Sequence, residues 1–403
     1  VLPAITGIPY HSIFIQKKED NMDTENQIYR RLQKHIDRLP GGFPEVASGL
    51  DIKLLKRFFT PEEAEVTMQL SMKPEPLSRI FPRLRKTGKN IGELKQLLDS
   101  MMRKGIILTW EEDYDETYYS NAEFAMGGIF NFQIGDLTEE MLNDYHQYQA
   151  ERRTAAGPGT GGALPLRTIP VAQSIPVPEK YRVSDYDSVR KLVENARGRL
   201  SVANCICRLT SQILGEGCQK TDLIEACLMI GTDHARRHVD MGIGRYLTKE
   251  EAFELLDKAQ QDGLVLQPEN SRRPDTICIC CGDCCVLLTM LNKHPRPVEM
   301  FVTNYYVEFN AELCNGCGVC IDKCQLGARE LVDGIAVLNP DRCIGCGNCV
   351  ALCAQNANTL RKKEPEKVPP KDKVTVNMNT LSRRFGKWNM FIIRLKMMLG
   401  MKV

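Results

Sequence analysis

The chain has 403 residues, 43% hydrophobic and 26% charged, with a net charge of +2. At roughly 100–200 residues per domain this length predicts two to four domains, and the composition excludes wholesale disorder, a collagen-like chain and a coiled coil. The 17 cysteines are about 4% of the residues, below the roughly 8–10% of a disulfide scaffold, and their clustering reads as metal ligation in a reducing compartment.

The chain opens on Val1 and its first methionine is Met22, so residues 1–22 are taken as an N-terminal extension whose true start is open. Val1–Phe14 is mildly apolar but lacks a basic flank and is too short to span a bilayer. No later stretch is long and apolar enough for a transmembrane helix. The expectation is a cytoplasmic protein, with peripheral membrane attachment through the C-terminal tail as an option. Residues 1–150 hold 18 Lys+Arg against 23 Asp+Glu, a net of −5, which leaves 35 against 28, a net of +7, for residues 151–403. Such asymmetry marks separate surfaces with separate partners.

Residues 23–153 are expected to form an α-rich domain. Asp23 or Thr24 can cap a helix with Ile28, Leu32, His35, Ile36 and Leu39 at helical spacing, stopped by Pro40-Gly41-Gly42. Thr60-Pro61-Glu62-Glu63 is a capping box with proline at the first helical position. Asn90 to Lys104 carries Ile91, Leu94, Leu97, Leu98, Met101 and Met102 along one side. Gly105 ends it, and Ile106 to Trp110 reads as a strand. This helix, stop, strand and charged hairpin resemble a winged helix-turn-helix. A wing that meets DNA carries Lys or Arg, whereas here it would be Glu111-Glu112-Asp113-Tyr114-Asp115-Glu116. Protein docking is therefore expected, and DNA binding is not.

Residues 154–180 are rich in Gly and Pro and read as a linker. Within them Gly157 to Gly162 lacks the Lys-Ser/Thr ending of a phosphate loop.

Residues 181–300 are read as a Cys-rich α/β middle domain. Ser184 to Asp187 is a candidate cap for a helix through Leu192 and Val193. Leu200 to Ala203 is strand-like and delivers Cys205. Thr248 to Glu251 opens another helix, which Gly263 ends. His234 and His238 sit four residues apart on a helical segment, but with only two ligands and Arg236-Arg237 between them they read as a solvated face.

This segment holds Cys205, Cys207, Cys218 and Cys227, then Cys278, Cys280, Cys281, Cys284 and Cys285. No packing argument calls for five thiols in eight residues, and thiolate-rich knots suit soft metals. Three readings stay open. One is a third iron–sulfur cluster on some of these nine. Another is zinc or a different structural metal. The last is a redox dithiol at Cys280-Cys281 or Cys284-Cys285, which ring strain disfavours. Arg208, beside Cys207, either favours the thiolate there or is an ordinary surface arginine.

Residues 305–362 carry the strongest signal. Cys314-x2-Cys317-x2-Cys320-x3-Cys324 recurs as Cys343-x2-Cys346-x2-Cys349-x3-Cys353, every cysteine displaced by 29 positions. Gly316/Gly345, Gly318/Gly347 and Asn310/Asn339 keep the same offset. Three thiolates on a tight loop reach three corners of a cubane, and the fourth must come from further away. Zinc sites usually use two separated C-x2-4-C pairs instead. This duplication resembles the two-cluster bacterial ferredoxin, and residues 180–361 together resemble a group of anaerobic prokaryotic 4Fe-4S ferredoxin-domain proteins. The ferredoxin resemblance implies two [4Fe-4S] clusters in which the fourth cysteine of each run serves the other cluster. Cluster I would take Cys314, Cys317, Cys320 and Cys353; cluster II would take Cys343, Cys346, Cys349 and Cys324. That family places Pro after each fourth cysteine. Here those positions are Gln325 and Ala354, which implies clusters that are more hydrated or differently hydrogen-bonded.

Residues 363–403 form a linker and a basic tail. Leu381, Phe385, Trp388, Ile392, Leu395 and Leu399 share a helical face, with Arg383, Lys387 and Arg394 opposite. A basic amphipathic helix of this kind suits a membrane surface, a partner, or packing on its own protein. The whole reads as an α+β multidomain chain: a winged-helix-like α-rich domain, a Cys-rich α/β middle domain and a duplicated ferredoxin domain. It fits an electron-transfer protein, or the electron-input subunit of an anaerobic oxidoreductase system, with a redox protein as partner. A redox-sensing transcriptional regulator and a catalytic reductase subunit are the competing readings. No nucleotide fingerprint or catalytic triad accompanies the cysteines.

Overall fold

The first helices form where apolar spacing and side-chain caps coincide. The computed structural model describes residues 25–111, 115–124, 127–155, 166–171, 184–398 and 402. The helix over residues 25–36 buries Tyr29, Leu32 and Ile36; its candidate caps Asp23 and Thr24 lie outside the described residues. Thr60 and Glu63 exchange bonds at the start of Pro61–Thr67, and Asn90 and Glu93 do the same for Ile91–Arg103. The latter helix buries Leu94, Leu98, Met101 and Met102. Strands β1 (Glu75–Pro76), β2 (Ile107–Trp110) and β3 (Tyr118–Asn121) pair antiparallel in the order β1-β3-β2. All of these close on one apolar core that runs from Tyr29 to Tyr148. Glu112, Asp113 and Tyr114 of the acidic segment, and the run Gly157 to Gly162, lie outside the described residues.

Of the stretch read as a linker, residues 166–171 are described, and they are packed. Leu166 and Ile169 bridge to Glu269 and Leu266, and the Val171 N–H donates to the Cys346 carbonyl. Composition conceals this, because a Gly/Pro count ignores the alternation of Ile169 and Val171. Arg167 and Asp187 form a buried ion pair at 3.2 Å. Asp187 is thereby taken up, and the expected cap at Ser184 is not made. Ser188 caps Val189–Glu194 instead, accepting from the Lys191 N–H.

The middle of the chain folds as a five-stranded antiparallel sheet. Its strands are β4 (Leu200–Asn204), β5 (Glu225–Ile230), β6 (Gly244–Leu247), β7 (Val265–Pro268) and β8 (Thr276–Cys280), ordered β6-β4-β5-β8-β7. Side chains alternate across a strand. Leu228, Ile230, Leu266, Ile277 and Ile279 therefore pack on Ala252, Leu256 and Ala259 of the helix Lys249–Gln261. On the other face Ala203, Cys227 and Met229 meet Ala235 of the helix Thr232–Asp240.

That last helix is not a solvated face. His234 and His238 are both buried, edge-on to Trp110 and Phe132 respectively. Arg237 donates to the Thr109 carbonyl, and Asp233 accepts from the Glu111 N–H at 2.8 Å. The arginines that suggested solvent reach Thr109 of β2, and the helix is the seam between the sheet and the N-terminal core.

The C-terminal part pairs β9 (Tyr305–Phe309) with β12 (Asn358–Lys362), and β10 (Arg329–Val332) with β11 (Ile335–Leu338). A last helix spans Lys373–Met398 and breaks at Gly386, where φ is 75°. The break splits the expected stripe. Leu381 is buried, while Trp388, Ile392 and Leu395 are exposed; Leu399 lies outside the described residues. Arg384 ties the first half to Asp37 at 3.1 Å. Among the described residues no helix is long and apolar enough to cross a membrane.

Burial pushes the His238 imidazole down to about 4. Its Nδ1–H donates to the His234 carbonyl at 2.9 Å. A group neutral when folded and protonated when unfolded binds fewer protons in the native state. Stability is therefore full above the unfolded value near 6.5 and is lost as pH falls towards about 4. Urea unfolding followed by circular dichroism should show a loss of roughly 3 kcal/mol from His238 across that window. His238→Asn should flatten the pH dependence.

Candidate metal centres

The two cysteine runs of residues 314–353 fold alike. Each winds around a short helix, Val319–Asp322 in the first and Asn348–Ala351 in the second. Gly316 and Gly345 sit at φ 70° and 65°, and a Cβ there would lie 2.1 Å and 2.2 Å from the Gly334 and Tyr305 carbonyl oxygens. Only glycine admits so tight a loop. Cys314, Cys317 and Cys320 line one cavity, and the fourth cysteine lining it is Cys353. Cys324 lies with the other run, where its charge bears on Cys346 and Cys349. Cys317 is exposed and the other seven are partly buried.

Arg329 stands between the two runs. It is offset by 29 from Asn358, and its Nη2 donates to that residue's Oδ1 and to the Cys349 Sγ. The guanidinium is buried over the Phe309 ring, and its Nε and Nη1 find no partner among the described residues. Burial pushes the Cys349 thiol up to about 12, and Arg329 opposes this. The same cation lowers Cys314 and Cys320 in part. A buried cation among thiols is a place where thiolates or an anionic cluster are favoured.

The nine middle cysteines separate into two sets. Cys227 and Cys278 face each other across β5 and β8, and Cys280 follows on the same face of β8. Cys205 and Cys207 open the helix Ile206–Ile213, and Cys285 precedes Val286–Asn292. Their thiols form one chain of contacts, Cys205–Cys207–Cys285–Cys280–Cys278–Cys227. Bonds from Cys227 and Cys280 hold Cys278 well below the usual thiol range. Cys281 and Cys284 pack instead with Ile277 and Ile279 on the opposite face, with Cys218 and, from the first set, Cys205 beside them. The adjacent pairs Cys280-Cys281 and Cys284-Cys285 each divide between the sets. All nine are free thiols. Thiolate is a donor suited to iron–sulfur or zinc, and coordination removes the proton that burial would otherwise retain.

Arg208 is not at the surface. It is 1% exposed and donates to the Leu223 and Ile279 carbonyls at 2.6 and 2.9 Å. The thiols it acts on are Cys205, Cys281 and Cys218, with a hydrogen bond to Cys281, and not Cys207.

Gln325, which stands where the resembled family has proline, is bonded into the fold. Its Oε1 accepts from the Gly282 N–H at 2.7 Å and its Nε2 donates to the Gly263 carbonyl at 2.9 Å. Asn348 donates to that carbonyl at 2.6 Å and to Leu264 at 3.1 Å. A Cβ on Gly282 would lie 2.1 Å from the Gln325 carbonyl oxygen, so the two cysteine-rich segments meet backbone to backbone. Gln325 is buried and Ala354 is exposed. Asn348, Arg329 and Asp283 were not singled out by sequence reasoning. The shared offset of Arg329 and Asn358 was a usable signal.

Comparison with known proteins bears on this part of the chain. The family model of the 4Fe-4S dicluster domain matches residues 306–354. Residues 306–354 are a 4Fe-4S ferredoxin-type domain. No curated protein and no solved structure matches the chain. The ferredoxin-type domain supports iron–sulfur binding and electron transfer in general, and it is set against the five-stranded sheet through Gly263 and Gly282.

Gln325→Ala removes a donor and an acceptor and leaves the Gly282 N–H without its partner. A cost of about 1–3 kcal/mol is expected. Amide hydrogen exchange should show faster exchange at Gly282 with the sheet's protection retained; unchanged exchange at Gly282 would show that the clamp is dispensable.

Proposed function

We propose that the chain is an iron–sulfur electron-transfer protein, or an electron-input subunit, with two [4Fe-4S] clusters in residues 305–362 and a third iron–sulfur centre on the six-thiol set. The observation that carries this reading is the crossing of the fourth cysteines. Cluster I would be held by Cys314, Cys317, Cys320 and Cys353, and cluster II by Cys343, Cys346, Cys349 and Cys324. When bound, such clusters supply one-electron transfer.

The chain's own residues do the rest. Arg329 sets a buried positive charge between the two ligand sets. Leu288, Phe301, Leu326 and Ile344 exclude water from a cluster that includes Cys280 and Cys285, with Cys346 packed against it. The six thiols and the second run thus share one dry contact. The first run faces outwards instead: beside exposed Cys317 stand exposed Leu313 and Val319, and the hairpin β10–β11 adds exposed Leu331, Val332 and Val337. This apolar rim is where a redox partner protein would approach a ligand of the first cluster. The winged-helix-like element at the N-terminus is read as an internal dock, because Thr109 and Glu111 are engaged by Arg237 and Asp233. DNA is not proposed as a partner.

Anaerobic purification with iron and sulfide quantification tests the reading. About twelve iron atoms per chain, four for each cluster, is the expected result. About eight would remove the third centre, and a chain with zinc and no iron would overturn the reading as a whole. Arg329→Leu should lower the potentials of both ferredoxin-type clusters, since a nearby cation favours the more negative reduced state. Each ~1.4 kcal/mol of lost stabilisation corresponds to about 60 mV in a one-electron titration.

A further inference from the structure

We infer that Cys218, Cys281 and Cys284, closed by Asp283, form a separate mononuclear zinc site behind the six-thiol set. The four ligand atoms, one from each residue, all lie within 4.8 Å of one another, and the Cys218 and Cys281 sulfurs are 3.6 Å apart. Four donors around one tetrahedral zinc at about 2.3 Å stand roughly 3.8 Å apart. A cubane alternates iron and sulfide at its corners, with one thiolate on each of four irons, and spreads its thiolates wider. The spacing suits a single ion.

The surroundings are built for such a group. Asp283 Oδ2 accepts from the Gln219 N–H at 2.7 Å, its Oδ1 accepts from the Cys284 N–H at 2.9 Å, and Cys218 Sγ lies 3.6 Å from Oδ1. The carboxylate is therefore already oriented beside the sulfurs. Ser211 donates to Cys284, which supplies the hydrogen bond that coordinated thiolates commonly receive from an outer residue. Arg208 contributes compensating charge, which it shares with Cys205 of the six-thiol set. It is buried, it bonds Cys281 as well as two carbonyls, and its Nε has no hydrogen-bond partner among the described residues. Three thiolates and a carboxylate carry four negative charges; a divalent ion and one guanidinium offset three of them.

The site also has a structural task. Cys218 lies in the irregular segment between the helix Ile206–Ile213 and β5, 63 residues from Cys281. Joining the two closes a long loop, and such closure by a metal clip stabilises a fold chiefly through the unfolded chain. The site would hold the Cys281–Cys285 segment in place and so fix Cys285 and Cys280 for the six-thiol set. Two sets on opposite faces of one strand then have separate tasks, one structural and one redox.

Metal analysis of the full chain, purified anaerobically, tests this. One zinc per chain in addition to iron is expected, as is loss of that zinc with retained iron in Cys218→Ser. Cys227→Ser, from the other set, should lose iron and keep zinc. Asp283→Asn should weaken zinc retention against a chromophoric chelator at least tenfold while the iron count stays unchanged. Growth with cobalt should give the intense visible absorption of a tetrahedral cobalt–thiolate site on the unmutated protein, a readout that does not depend on any variant folding. Zinc absent from a chain with its full iron, or iron lost instead of zinc in Cys218→Ser, would overturn the proposal. Neither outcome touches the two ferredoxin-type clusters, whose iron is counted separately.

Discussion

A helix cannot satisfy its own last carbonyls, and in this fold one such end holds the two cysteine-rich regions together. The helix Lys249–Gln261 stops at Asp262 and Gly263, where Gly263 takes a left-handed turn at φ 73°. Its carbonyl, turned away from the helix, accepts from both Gln325 and Asn348. Gln325 follows the last cysteine of the first run and Asn348 precedes the third cysteine of the second. One carbonyl thus reads both halves of the duplication. The Gly282 N–H, from the middle knot, completes the contact through the same glutamine. Buried polar groups are costly unless partnered, so these bonds fix the orientation of the ferredoxin-type domain more sharply than apolar contact alone would.

The second constraint is the period of a strand. From Thr276 to Cys280 alternate side chains point to opposite faces, and Cys278 and Cys280 are parted from Ile277 and Ile279. The chain then turns at Gly282, and Cys281 and Cys284 fall with the isoleucines. A register shift of one residue would exchange the two groups and bring apolar side chains to the thiol face. The pairing of Cys227 with Cys278 and of Val265 with Cys280 fixes that register. Five thiols adjacent in sequence are in this way delivered to two places, which linear spacing does not reveal.

Much of the local structure was legible before the fold was known. The capping boxes at Thr60 and Thr248, and the left-handed stops at Gly105 and Gly263, depend on short-range bonds and were found where expected. The 29-residue repeat is likewise local. What escaped was set by distant partners. His234 and His238 looked solvated because their neighbours are arginines, yet Trp110 and Phe132, far away in sequence, cover them. Asp187 looked like a cap and became the partner of buried Arg167. The tail's stripe was read as one face, but Gly386 rotates its second half away. In each case a side chain compatible with a local role was captured by a stronger tertiary one.

The distribution of burial gives the ferredoxin-type domain a direction. The two runs are nearly superimposable in sequence spacing, yet Cys317 is exposed and its counterpart Cys346 is packed against Cys280, Cys285 and Leu288. The difference comes from what stands behind each run. Behind the first is the hairpin β10–β11, whose outward Leu331, Val332 and Val337 meet solvent. Behind the second is the sheet, joined through Gly263 and through the Val171 N–H, which donates to the Cys346 carbonyl. A low-dielectric setting disfavours added negative charge, and a nearby cation relieves it. Arg329 donates to Cys349 of the inner run, the set that is otherwise the more desolvated. Its single charge therefore acts on the two runs from one point while weighing more on the buried one, and it narrows the difference that burial alone would open between them.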